Sequence, residues 1–187
     1  EEKNMEGMEG CLLMDRFGYM KRIDKNAYER NKEAVHNENK YVFNCMNTDK
    51  ICIFTDTGKM HTIKAVDIPL GRFRDKGTPV DNLSNYDSSQ ERMLYVAPVG
   101  QLRSDRFVTK TSMCKLVEGA EFDVAKRTIA STKLADEDEL IFIGSASEME
   151  QIVLQSHGGC FLRFLTQEVS TMKKTALGVR GMKLADD

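Results

Sequence analysis

The sequence lacks long hydrophobic runs, clustered histidines and paired cysteines, and each absence removes a class of function. No apolar stretch approaches the length of a membrane span, so no membrane partner is expected. The first ten residues, EEKNMEGMEG, are acidic and polar where a signal peptide would be basic and then apolar. Residues 1–10 are therefore expected to be an acidic linker or a trimmed end. Cys11, Cys45, Cys52, Cys114 and Cys160 are odd in number and nowhere spaced as Cys-x-x-Cys. They read as reduced cytosolic thiols, mostly buried in strands, and not as a zinc site or a disulfide frame. His36, His61 and His157 are scattered, without metal-ligand spacing to Cys, Asp or Glu, so no metal site is expected. A glycine-rich phosphate loop and a dinucleotide fingerprint are also missing.

What is present is segregated charge. The net charge of −2 argues against indiscriminate nucleic-acid binding. Yet Lys59 to Lys76 carries a net +3, and Arg163 to Lys183 a net +4. Acid collects elsewhere, at Glu1 to Glu9, in DEDE at 136–139 and at Asp186 and Asp187. A basic face is therefore possible.

A repeat organises the chain. TDTGKMHTIKAVDIP (55–69) reads as strand, tight turn, strand, and Gly58 at its turn has counterparts at Gly18, Ser112 and Gly159. Two residues after each anchor stand Met20, Met60, Cys114 and Phe161. Five after stand Ile23, Ile63, Val117 and Phe164, and ten after stand Tyr28, Ile68, Phe122 and Val169. Apolar pairs precede each turn: Leu13 and Met14, Ile53 and Phe54, Phe107 and Val108, Val153 and Leu154. On this alignment the fourth turn, SHGG, carries one extra residue. The later parts of two units, beginning KRTIASTKLAD (126–136) and KKTALGVRGMKLAD (173–186), share a dibasic start and KLAD.

Further strands are expected at 40–46, 92–99, 140–143 and 151–155, a turn or two of helix within 25–34, and a surface loop at 85–91. Repeat units fall near 11–50, 51–104, 105–150 and 151–187, the last expected to be incomplete. The fold class is all-β, with propeller-like four-stranded blades.

Fourteen residues after each anchor stand Lys32, Arg72, Lys126 and Lys173. Arg74, Lys76, Arg127, Lys174, Arg180 and Lys183 lie nearby. A cation repeated in every blade would make a basic rim suited to phosphates. Solvated loops also carry Lys and Arg in any soluble domain, so the pattern fits an ordinary surface as well. His61 occupies a repeat position filled elsewhere by Lys21, Lys115 and Leu162, and reads as a strand-face residue and not a base. Gly178 and Gly181 read as turn or bulge glycines, with close approach to phosphates left open. The methionines and aromatics at strand positions read as core. No acid/base pair emerges, the five tyrosines have no nucleophile context, and catalysis by this piece alone is not expected.

TDTGKMHTIKAVDIP and DRFGYMKRID, together with GVRGMKL and an acidic turn, resemble the C-terminal domain of the A subunit of bacterial type IIA topoisomerases, DNA gyrase and topoisomerase IV. The resemblance covers nearly the whole chain from Cys11 onward. It implies a β-pinwheel whose blades exchange strands, and a basic outer rim that binds and bends duplex DNA. It carries over only to Lys32, Arg72, Lys126, Lys173 and their basic neighbours. The catalytic tyrosine of such enzymes lies in a breakage–reunion region outside this chain, and ATP binding belongs to the B subunit. No cofactor is expected in this fragment, ATP and Mg being used elsewhere in the parent enzyme. The implied partners are duplex DNA, the B subunit, and a second copy of the A subunit, in the bacterial cytoplasm. Gyrases carry a Gln-Arg-Arg-Gly-Gly-Lys-Gly box where this chain has ERNKEAVHNENKYVF (29–43), which favours a topoisomerase IV-like protein. A degenerate box at KKTALGVRG keeps gyrase open. A propeller-like protein-interaction scaffold with no nucleic-acid role is the competing reading.

Overall fold

A computed structural model describes residues 6–146 and 151–183. The acidic first residues and the KLADD end fall largely outside that range. Strands β1 (Glu9–Asp15) and β2 (Tyr19–Ile23) form a hairpin, followed by helices α1 (Lys25–Arg30) and α2 (Lys32–Glu38) and by β3 (Asn39–Met46). Next come β4 (Lys50–Thr55), β5 (Lys59–Lys64), β6 (Thr78–Pro79), α3 (Val80–Leu83) and β7 (Met93–Pro98). A third set holds β8 (Ser104–Thr109), β9 (Met113–Glu118), β10 (Thr128–Ala130) and β11 (Leu140–Ser145). The last holds β12 (Gln151–Gln155), β13 (Phe161–Leu165) and β14 (Val179–Arg180).

The four anchors share one backbone state. Each hairpin turn closes when the anchor N–H donates to the carbonyl three residues earlier, at Asp15, Thr55, Thr109 and Ser156, over 2.9–3.2 Å. The anchors Gly18, Gly58, Ser112 and Gly159 all have positive φ, at 82°, 74°, 63° and 86°. Glycine enters that region freely, whereas Ser112 does so at a cost of about 1 kcal/mol. Pairing corrects one expectation. Met14 faces Met20, Phe54 faces Met60, Val108 faces Cys114, and Gln155 faces Phe161, so all four turns have equal length. The fourth turn has no extra residue; its apolar pair simply sits one place earlier, with Gln155 closing the hairpin.

Each sheet borrows an edge. The orders are β3-β1-β2-β6, β10-β5-β4-β7 and β11-β8-β9-β14, all antiparallel, with β12-β13 as a separate pair. We call the first three sheets one, two and three. The long outer strands β3, β7 and β11 come from the same stretch as the hairpin they join. The short strands β6, β10 and β14 come from the stretch that follows the next hairpin. Strand exchange thus links neighbours through main-chain hydrogen bonds as well as through side-chain packing.

Packing follows the pleat, since alternate side chains point to opposite faces. Leu12 and Met14 meet Ile51, Ile53 and Val96 between sheets one and two. Cys52, Phe54 and Met60 meet Phe107, Val117 and Phe122 between sheets two and three. Strands buried on both faces need continuous apolar runs, which is why LLM and ICIF do not alternate with polar residues. On the far face of sheet one, Cys11, Leu13 and Ile23 are covered by Val35, Ala27 and Tyr28 of the two helices. Asp24 starts α1 by accepting the Ala27 N–H at 2.7 Å, and Asn39 closes α2 by donating to the Val35 carbonyl. Helix therefore occupies more of 25–38 than the weak periodicity suggested.

The β12–β13 pair is different. Ile152 packs with Val108, Cys114 and Val169. On the opposite face Val153 is 59% exposed and Phe161 68%, although Met20, Met60 and Cys114 at the matching position are buried. Phe161 is thus a repeat position without a core role here, because no described element covers that face. The stretch 85–91 is also more than a surface loop, since Tyr86 and the Glu91 side chain turn inward.

Candidate nucleic-acid interface

The basic residues sit mainly on crossover segments, the stretches that carry the chain from one hairpin to the edge of the preceding sheet. Residues 70–77 run beside β2, with Arg22 N–H donating to Pro69 O and Gly71 N–H to Arg22 O, both 2.9 Å. Residues 171–178 repeat the pattern beside β9, through Leu116 N–H to Ser170 O and Met172 N–H to Leu116 O. The third segment, 122–127, lies beside β5, where Thr62 N–H donates to Arg127 O at 2.8 Å. Equivalent edges of three successive sheets thus carry Arg72, Arg74 and Lys76; Lys126 and Arg127; and Lys173 and Lys174.

Arg72, Arg74 and Lys76 are all exposed. Their turn is closed by Asp75, whose side chain accepts the Arg72 N–H at 2.8 Å, while Asp75 N–H returns to Arg72 O. The Lys76 ammonium lies 4.8 Å from the Tyr19 ring centre, a contact that holds the chain without spending its charge. Lys126 and Arg127 are exposed, and Arg127 donates to Leu83 O at 3.2 Å.

Lys173 is exposed but pairs with Glu121 at 3.3 Å, a surface pair worth about 0–1 kcal/mol. Lys174 is half-buried; its main-chain N–H and its ammonium donate to the Glu121 carboxylate and carbonyl, both 2.9 Å. Those contacts, the Lys174 N–H first, hold the Glu121 carboxyl below its ordinary value, so Glu121 offsets part of this segment's positive charge. Arg180 is exposed on β14, and Lys183 is exposed beyond it. Lys32 stands apart from the crossovers, as the first residue of α2, 5.9 Å over the Tyr28 ring. A cleft of about 580 Å³ separates α2 from the 73–76 turn, with Tyr19, Asn31, Glu38, Arg74 and Lys76 on its walls.

Of the other residues in this neighbourhood, Gly178 alone is singled out by the sequence, as a turn or bulge glycine, while Gly77, Lys21 and Lys115 were not legible as part of it. Gly77 and Gly178 each enter an exchanged strand with positive φ, 84° and 104°, and a Cβ on them would meet Met20 O at 2.6 Å and Cys114 O at 2.8 Å. Their equal distance from Gly58 and Gly159 is a signal the sequence does contain. Lys21 and Lys115, read from the sequence only as strand-face residues, reach main-chain oxygens of the crossover turns. His61, at the matching position, does not. It is buried, with Nδ1 2.9 Å from Thr128 Oγ1 and Nε2 2.5 Å from Glu91 Oε1. Burial works against the Glu91 charge, yet hydrogen bonds from Thr55, His61 and Thr57 together hold its pKa below the ordinary value.

Among the described residues no three His, Cys, Asp or Glu side chains come together as metal ligands, and no helix is long and apolar enough to cross a membrane. Burial raises the thiols of Cys11 and Cys114 to about 11 and of Cys52 to about 12, which keeps them protonated and unreactive at neutral pH.

Successive four-stranded sheets that trade edge strands and expose basic crossovers define a propeller-like class of domain. The chain belongs to the family described as DNA gyrase C-terminal domain, beta-propeller, whose sequence model matches residues 49–88, 107–147 and 150–187. The A subunit of DNA gyrase from Clostridium acetobutylicum is 28% identical over 184 residues, covering 91% of this chain and 22% of its own. That of Haemophilus influenzae is 31% identical over 141 residues, covering 73% and 16%. The chain thus spans about a fifth of the length of these curated relatives. Among solved structures, the C-terminal domain of DNA topoisomerase IV superposes with a TM-score of 0.84 at 21% identity, over 97% of this chain and 59% of that one. The E. coli ParC C-terminal domain gives 0.71 at 10% identity, over 95% and 73%. Both likenesses concern the fold.

Proposed function

We propose that this chain is a non-catalytic duplex-DNA-binding and bending domain of the A subunit of a type IIA topoisomerase. The observation that carries the reading is the recurrence of exposed cations on equivalent edges of three successive sheets, in a member of the gyrase C-terminal family. Cations repeated along a rim can contact phosphates and require no base contact, so the rim positions duplex DNA without reading its sequence. The proposed contacts are Lys32, Arg72, Arg74, Lys76, Lys126, Arg127, Lys173, Lys174, Arg180 and Lys183. Strand cleavage, ATP hydrolysis and the Mg²⁺ they use belong to other regions and to the B subunit of a bacterial cytoplasmic enzyme.

Two unrelated duplexes of equal length, titrated across a salt series, test this. Equal affinities are expected, falling steeply as salt rises, because each neutralised phosphate releases counterions. No binding at low salt, together with specific retention of a protein partner, would instead establish the scaffold reading. Within the enzyme class, the stretch 29–43, which runs from the end of α1 through α2 into β3 and carries Glu33 and Glu38 and no glycine, supports a topoisomerase IV-like role. The assembled enzyme is then expected to relax and decatenate circles without introducing negative supercoils, and supercoiling activity would assign it to gyrase.

A further inference from the structure

Two cations of the repeat point inward. Lys21 and Lys115 stand three residues after the anchors Gly18 and Ser112, on the second strands of their hairpins. Lys115 is 1% exposed and Lys21 is half-buried. The Lys115 ammonium donates to the carbonyls of Lys173, Lys174 and Ala176 at 3.3, 2.9 and 2.7 Å. The Lys21 ammonium donates to those of Phe73 and Asp75 at 2.5 and 2.6 Å. Each also lies over an aromatic ring, Phe107 for Lys115 and Phe73 for Lys21.

An ammonium has three donors and no acceptor, so three carbonyls use the full capacity of Lys115 and leave nothing for a phosphate. The carbonyls in turn need a partner, because a main-chain oxygen turned inward without one is costly. The same turns expose Arg72, Arg74, Lys76 and Lys173. We propose that Lys21 and Lys115 are positioning residues of the DNA interface: each latches the crossover turn of the following unit in the shape that presents its cations together, and neither touches DNA. The third crossover is shorter. β10 begins at Thr128, 16 residues after Ser112, whereas β6 and β14 begin 20 residues after their anchors. Its position matching Lys21 and Lys115 is His61, which holds the Thr128 side chain and no turn carbonyl, and the lysine that reaches this turn is Lys50 of β4, donating to Val124 O at 3.3 Å and pairing with Asp123 at 3.0 Å.

The inference rests on the reading of these turns as phosphate contacts, and the test separates the two. Hydrogen exchange of the full chain should show Met172, Lys174 and Ala176 amides, all hydrogen-bonded in the structure, protected in the wild type and unprotected in Lys115→Met. Retained protection would overturn the latch whatever the DNA result. Duplex affinity should fall about tenfold in Lys115→Met, comparable to the loss of a charged hydrogen-bonded contact. In a Lys173→Ala/Lys174→Ala background the same substitution should change affinity by less than about twofold, because the latched cations are already gone. An equal loss in both backgrounds would make Lys115 a direct contact and overturn the proposal. Wild-type affinity in Lys173→Ala/Lys174→Ala would refute the phosphate reading of that turn, with the exchange result still deciding the latch. Should Lys115→Met fail to fold, Lys21→Met with the Arg72→Ala/Arg74→Ala/Lys76→Ala background repeats the cycle at the other turn.

Discussion

The junction between sheets one and two and the junction between sheets two and three have the same topology and different chemistry. At the first, a long crossover is held by Lys21, and the hairpin strand β4 contributes Ile51 and Ile53 to an apolar interface. At the second, a short crossover meets the buried His61–Glu91 pair, and the residue matching Ile51 is Asp105. Asp105 is 1% exposed, and both its carboxylate oxygens lack a hydrogen-bond partner. Strand exchange therefore tolerates different fillings of one geometry, and the interface between sheets two and three carries a buried carboxylate, Asp105, at the position that Ile51 fills between sheets one and two.

The largest effect expected from breaking this contrast is at Asp105. Burial raises its carboxyl from 3.8 to about 6, so the folded state binds a proton more tightly than the unfolded one. The cost is absent below about pH 4, grows as pH rises toward about 6, and is complete above it. Replacement by Ile, the residue at the matching positions Ile51 and Ile152, should stabilise by about 3 kcal/mol at pH 7.5 and by much less at pH 4. Chemical denaturation at the two pH values checks this; equal stabilisation at both would rule out the charge as the cause.

Next in size is the entry to the exchanged strand. Gly77→Ala forces a left-handed backbone and a Cβ against Met20 O, and should cost about 2–3 kcal/mol. Arg127→Ala, just before β10 at the second junction, where no positive φ is required, should fall within about 0.5 kcal/mol. Equal melting temperatures for the two variants would show that the long crossover is not conformationally constrained.

A smaller effect, opposite in sign to that of Asp105, belongs to Glu91. Its pKa is depressed, so its contribution is present above the ordinary value of 4.5 and is lost as pH falls below it. Glu91→Gln should flatten the acid side of the stability profile. Lys21 bonds to neutral carbonyls, so Lys21→Met should leave that part of the profile unchanged.

Hairpins, anchors and apolar offsets could be read from the sequence because they are local: a turn needs a left-handed residue, and a doubly covered strand needs unbroken apolar residues. The exchanged strands could not. Thr78–Pro79 and Val179–Arg180 are two residues long, show no periodicity, and acquire partners only from a neighbouring unit. The basic crossovers were visible as charge. Their latches were hidden, since Lys21 and Lys115 look like any strand lysine until the next unit's carbonyls are placed around them. Asp105 had a signal that alignment on the anchors exposes, a carboxylate in a column otherwise filled by Cys11, Ile51 and Ile152.

The central claim is that the crossover cations meet phosphates, and the salt dependence of duplex binding in Arg72→Ala/Arg74→Ala/Lys76→Ala tests it most directly. All three residues are exposed, so the fold should be unchanged by circular dichroism. The expected result is weaker binding to every duplex and a log–log salt slope shallower than wild type by about 0.9 for each contact removed. Wild-type affinity with an unchanged slope would contradict it.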